Sequence, residues 1–222
     1  MKRTCGVILM MSLALWAAPA SAQTPAPASS AGVGSLWYVG ANIGTAVVDS
    51  FSATGGLEGG RRVWRNLDAV GELAWIGNAV SRRQLDKVAT LATYIGQRQN
   101  TDASSDLTAK TRYGGLGVRW VFEQEMRLEP YVMVTLGGSH TTLKPTLRLQ
   151  GTDITDAAAQ YGVTLGRDVI GESNDFAAEM AVGVILRRGT WFGDASARLL
   201  SSRGGDQRTN IARLVIGGGY QF

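Results

Sequence analysis

From residue 36 onward, large apolar side chains recur at every second position, with small or polar residues between them. That is the period of a β-strand with one face toward an apolar medium. Residues 36–47 set Trp37, Val39, Ala41 and Ile43 against Tyr38, Gly40, Asn42 and Gly44. A second strand is expected over about 55–63, with a turn at 64–66. The third, 67–77, sets Leu67, Ala69, Gly71, Leu73 and Trp75 against Asp68, Val70, Glu72 and Ala74. The fourth, 111–122, carries Leu116, Val118, Trp120 and Phe122, and the fifth, 130–140, carries Val132, Val134 and Leu136. Residues 175–187 and 191–200 supply the sixth and seventh. The eighth, 208–222, aligns Leu214, Ile216, Gly218, Tyr220 and Phe222. The pattern predicts an all-β fold, an eight-stranded antiparallel up-and-down transmembrane β-barrel with short helices in its external loops.

The connections alternate in length. Those at 64–66, 123–129 and 188–190 are short, whereas the gaps 78–110 and 141–174 are long. Membrane barrels place short turns on the periplasmic side and long loops outside. In the first long gap Leu85, Val88, Leu91, Ala92 and Ile95 fall at helical spacing and predict an amphipathic helix over 83–97. A second short helix is expected over 155–165, starting from Asp153 or Thr155 as its cap. Two roles are open to these helices: closing the barrel mouth, or forming a partner-binding surface.

Charge placement separates a membrane barrel from a soluble one such as a lipocalin or avidin. On strands three, four, six, seven and eight the large apolar face is free of charge over its central span. The opposite face carries Glu72, Arg119, Glu179, Asp194, Arg198 and Arg213 beside glycines. An eight-stranded lumen is just wide enough to be filled by side chains, and charges buried there must pair. Strand adjacency suggests Glu72–Arg119, Asp194–Arg213 and Glu179–Arg198. Such a network either fills and rigidifies the barrel or gates a narrow pore.

Composition narrows the class further. Met1-Lys2-Arg3, the apolar stretch 7–18 and the Ala20-Ser21-Ala22 site before Gln23 read as a signal peptide over 1–22. Residues 23–34, rich in Pro, Ala, Ser and Gly, read as a flexible periplasmic leader, and 35–222 as the barrel domain. Cys5, the single cysteine, lies in the signal segment, so the mature chain is expected to use neither disulfides nor thiol chemistry. The formal net charge is +4, of which Lys2 and Arg3 contribute half. A nearly neutral mature chain gives no reason to invoke nucleic acid.

Candidate chemistry is sparse. The only histidine, His140, stands at the external end of the fifth strand between Ser139 and Thr141. A nucleophilic hydroxyl needs a base within hydrogen-bond reach, and sequence neighbours on a strand point to opposite faces. Ser139 and Thr141 therefore point away from His140, and the alternative to a non-enzymatic barrel is a lipid-modifying enzyme of the lipid A acylhydrolase kind that uses His140 with a serine from another strand. No catalytic residue, cofactor or metal is assigned.

The chain ends Val215-Ile216-Gly217-Gly218-Gly219-Tyr220-Gln221-Phe222. Gly217, Tyr220 and Phe222 resemble the terminal-strand signal read by the barrel assembly machinery of bacterial outer membranes. With Leu36-Trp37-Tyr38-Val39-Gly40-Ala41, the run from Tyr113 to Phe122, and Glu129-Pro130-Tyr131-Val132, the chain resembles the small OmpA/OmpX-type barrels, including opacity and surface antigens. That resemblance implies residence in the outer membrane, contact with its lipids and lipopolysaccharide, a monomer, and long surface loops whose partner is unspecified.

Overall fold

The computed structural model describes residues 37–122, 128–166, 169–204 and 207–222. Eight long strands form the wall: β1 (Trp37–Val47), β2 (Phe51–Trp64), β3 (Leu67–Ile76), β4 (Ala103–Val121), β5 (Leu128–Leu149), β6 (Gly171–Arg188), β7 (Trp191–Gly204) and β8 (Gln207–Gln221). Each pairs antiparallel with the next in sequence. β8 returns to β1, with Tyr38 opposite Gln221 and Val47 opposite Ala212. Trp37 N–H donates to Phe222 C=O and Phe222 N–H to Trp37 C=O, both at 2.9 Å, completing the seam. Closure leaves no free edge, the condition for a sheet to cross lipid. No described helix is long and apolar enough to do so.

The wall alternates as its sequence does. On β3, Asp68, Val70, Glu72, Ala74 and Ile76 are buried, while Ala69, Leu73 and Trp75 are exposed. Exposed Val39, Ile43, Leu57, Leu73, Leu116, Val118, Val134, Leu136, Met180, Val182, Leu214 and Ile216 form an apolar outer belt. Trp37, Trp64, Trp120, Phe122, Trp191, Tyr220 and Phe222 ring its periplasmic edge, all exposed. A large apolar surface facing outward over a polar interior inverts the soluble arrangement and fits a hydrocarbon surround. Close approach of the strands is bought by glycine: a Cβ at Gly44 or Gly117 would lie 1.9 Å from the carbonyl oxygen of Leu214 or Val134.

The strands run further than their apolar alternation. β2 begins at Phe51 rather than near 55, β6 at Gly171 rather than 175, and β7 extends to Gly204 rather than 200. Most of the two long gaps is ordered. Residues 103–110 of β4 pair with 142–149 of β5, Ala103 opposite Leu149 and Lys110 opposite Thr142. Outward positions Ser104, Asp106, Thr108 and Lys110 are polar because this part of the hairpin stands in water, so no lipid-facing stripe marks it.

The helix α1 spans Arg82–Gln99, slightly beyond the expected 83–97. Ser81 N–H donates to Gln84 Oε1 at 3.2 Å at its start, and Asn100 in the left-handed region (φ 49°) ends it. The second helix is a 3-10 segment, Thr155–Tyr161, which stops short of 165. Thr155 N–H and hydroxyl donate to Asp153 Oδ1 at 2.9 and 2.6 Å and hold that carboxyl below its usual range. The signal peptide with Ala20, Ala22 and Gln23, the leader 23–34, and residues 123–127 of the middle turn lie outside the described residues.

Candidate functional site: a filled lumen beneath an external platform

The interior is layered. Near the periplasmic end, Tyr38, Val70, Val121, Tyr131, Met133, Ala181 and Ile185 form an apolar cluster, with Phe192 against it. Near the external end a second cluster joins Ala46, Ala74, Ile76, Ala79, Tyr113, Ala177, Leu200 and Ile211. Charged side chains occupy the middle, and Arg119, opposite Met133 on the β4–β5 ladder, stands within the periplasmic cluster. Its guanidinium carbon stands 4.4 Å from the Tyr38 ring centre and 5.3 Å from that of Tyr131.

Each buried arginine serves several acids. Arg119 donates to Glu58 Oε1 at 2.8 Å and to Asp68 Oδ2 at 3.0 Å. Arg198 lies 3.1 Å from Glu58, 2.9 Å from Glu72, 3.5 Å from Asp194 and 3.8 Å from Glu179. Arg213 donates to Glu72 at 2.7 Å and also to Glu179. Of the expected pairs, Glu179–Arg198 is present. Glu72–Arg119 and Asp194–Arg213 are not: Arg119 goes to Glu58 and Asp68, Glu72 to Arg198 and Arg213, and Asp194 to Arg198. Arg119 is level with Asp68 and Glu72 with Gly115 across the β3–β4 ladder, so register puts Arg119 nearer the periplasm than Glu72.

Sequence reasoning missed three members, Glu58, Asp68 and Arg62. Asp68 was visible as an inward position of the third strand. Glu58 lies among the glycines of β2, where alternation is weak. Among the described residues the network joins Glu58, Asp68, Glu72, Glu179 and Asp194 to Arg119, Arg198 and Arg213, with Arg62 reaching Asp68 from the periplasmic end.

Outside the wall, α1 packs on the extended hairpin. Val88, Ala92 and Ile95 meet Leu107 and Ala109 of β4 and Leu147 of β5, and Ile154, Ala158, Val163 and Val169 complete this core. Leu107, Ala109 and Leu147 share the inward parity of the barrel strands, so the helix sits on the continuation of the lumen-facing side. The mouth itself is filled by the Ile76–Tyr113–Leu200–Ile211 layer.

His140 faces outward. Its Nδ1 lies 2.8 Å from Asn174 Oδ1 on β6 and its Nε2 3.4 Å from Thr142 Oγ1; Glu172 is 4.0 Å from Nε2. Ser139 is buried on the opposite face. The hydroxyl within reach is thus two residues along the strand, a position outside the pair of sequence neighbours weighed above. Tyr220 of β8 and Phe222 just beyond it are exposed and stack at 6.4 Å, while a Cβ on Gly217 would meet the Ala41 carbonyl oxygen at 2.5 Å.

No protein-family model matches the chain, and no curated protein matches it in sequence. Solved structures do. Neisserial surface protein A (NspA) aligns with a TM-score of 0.52 at 12% identity, over 85% of this chain and 97% of that one. The attachment invasion locus protein Ail of Yersinia pestis aligns at 0.44 and 12%, over 85% and 97%. OprG of Pseudomonas aeruginosa aligns at 0.42 and 14%, over 86% and 96%. The NspA alignment shows a shared fold. Together with the closed ring, the apolar outer belt and the ion-paired interior, it defines the class: this is a small integral β-barrel protein of the outer membrane.

Proposed function

We propose that the protein is a non-enzymatic outer-membrane anchor, with a filled lumen, that presents a folded external platform for structural or recognition work. The observation carrying this reading is the platform's own apolar core, Val88, Ala92, Ile95, Leu107 and Leu147, built above the lipid-facing belt. An exposed surface on a rigid scaffold is where recognition residues concentrate. Two apolar layers across the lumen oppose ion passage, which argues against the narrow-pore reading. The carboxy-terminal strand is the segment offered to the assembly machinery, outer-membrane lipids are its surround, and a closed ring works as a monomer. Planar-bilayer recordings test the filled lumen: wild type should show no steady conductance. A steady conductance that changes strongly in Arg119→Ala would overturn it.

The Thr142–His140–Asn174 contacts favour a second reading, a lipid acylhydrolase, because they set a hydroxyl, a base and an orienting amide in line. Mass spectrometry of lipid A from cells with and without the protein separates the two readings. Acyl chains should be unchanged under the first. A loss of acyl chains that disappears in His140→Ala would establish the second.

A further inference from the structure

The outward face of β4 and β5 changes character at one height. Leu116, Val118 and Trp120 on β4, and Val132, Val134 and Leu136 on β5, are apolar and exposed. Beyond Gly114 and Gly138 the same face carries Arg112 and Lys110, with His140, Thr142 and Lys144 across the ladder. Register sets Arg112 opposite His140, Lys110 opposite Thr142 and Lys144 opposite Thr108. On the other side of Arg112 stands exposed Trp75.

The height follows from strand geometry. At a rise of about 3.4 Å per residue and a tilt of about 40°, Arg112 stands roughly 20 Å and Lys110 roughly 26 Å above the Trp120 girdle. An outer-membrane barrel's apolar band is about 25 Å tall. These side chains therefore leave the wall where hydrocarbon gives way to headgroups, on the external side.

Three exposed cations stand together on the β4–β5 flank; Arg203 on β7 is a further exposed outward cation near the external end. Lys110, Arg112 and Lys144 are exposed, and among the described residues none is ion-paired with a carboxylate. The acids of this face are Glu172, which lies beside His140, and Asp106, which accepts the Leu107 N–H. Outward positions near the external ends of β1, β2 and β8 are uncharged: Thr45, Ala53 and Ala212.

We propose that Lys110, Arg112 and Lys144 form a binding site for the phosphate groups of outer-leaflet lipopolysaccharide. The planar Arg112 guanidinium can take a phosphate through two parallel hydrogen bonds, and the two ammonium groups act as point charges on its external side. Trp75 suits the interface beside them. The occupant is a lipid because the site is continuous with the lipid-facing belt: acyl chains would lie along Leu116 and Leu136 while the phosphates meet the cations above. The inference adds a ligand to the barrel and holds whether or not the platform recognises a partner.

The test uses the full mature chain in phosphatidylcholine nanodiscs titrated with bisphosphorylated lipid A. Wild type should retain lipid A. The K110Q/R112Q/K144Q variant should bind it roughly a hundred-fold more weakly, since each cation near an anionic surface is worth about a five-fold change. The K110Q/K144Q variant alters only residues above the apolar belt; it should stay folded and lose roughly twenty-five-fold on the same scale. Arg61→Gln, on the periplasmic side against Trp37, should bind as wild type does. Equal binding by wild type and both variants, equal binding of dephosphorylated lipid A, or complete displacement by inorganic phosphate would overturn the proposal.

Discussion

Arg198 touches four carboxylates, those of Glu58, Glu72, Glu179 and Asp194, in a lumen that excludes bulk water. Removing one partner of a buried ion pair leaves the other charge uncompensated. Arg198→Met should therefore cost about 3–5 kcal/mol, read as a lower urea midpoint for barrels folded in phospholipid vesicles. Arg62→Met should cost less, because its partner Asp68 keeps Arg119 at 3.0 Å. Adding Glu72→Gln to Arg198→Met should recover part of the loss, since one unpaired acid goes with it; further destabilisation by the second substitution would contradict the pairing described here. Glycine makes a similar contrast. Gly117→Ala should cost about 1–3 kcal/mol through the clash with the Val134 carbonyl. At Gly138→Ala the new Cβ meets the Asp175 oxygen at an ordinary 3.7 Å and should be tolerated.

The external platform is an element-scale structure with its own stability. Ile95 is buried on α1 against the β4–β5 hairpin and outside the lipid belt. Ile95→Ala should open a cavity worth about 2–4 kcal/mol there, and proteolysis within α1 should accelerate. The heat-modifiable gel mobility of the barrel should not change, because the wall below is held by ladders that do not involve the helix. Loss of both together would mean that platform and barrel fold as one unit. The helix was legible from Leu85, Val88, Leu91, Ala92 and Ile95 at helical spacing. The hairpin beneath it was not, because polar outward positions in water lack the alternation that lipid imposes on the belt.

At the scale of the whole molecule, closure depends on the seam between the first and last strands. Phe222 makes two backbone hydrogen bonds with Trp37 and presents its ring to the periplasmic girdle. Deleting Phe222 should sharply reduce the heat-modifiable, outer-membrane-inserted fraction. Shortening the 23–34 leader, which supplies no expected strand, should leave that fraction near wild type. Equal losses would show that export, rather than strand closure, limits assembly.

Strand number, the inward or outward side of residues along the lipid-facing belt outside β2, and the membrane class were written in the sequence. Each follows from a period of two and from the demand that side chains facing lipid be apolar, both local properties of the chain. Pairing within the lumen was decided only in three dimensions. Which acid meets which arginine depends on strand register and tilt, and these placed Arg119 with Asp68 and Glu58 rather than with Glu72. The same holds outside the barrel. Asn174 comes to His140, and Lys144 to the side of Lys110 and Arg112, because the sheet sets neighbouring strands side by side, a relation that residues distant in sequence acquire only when the strands pair.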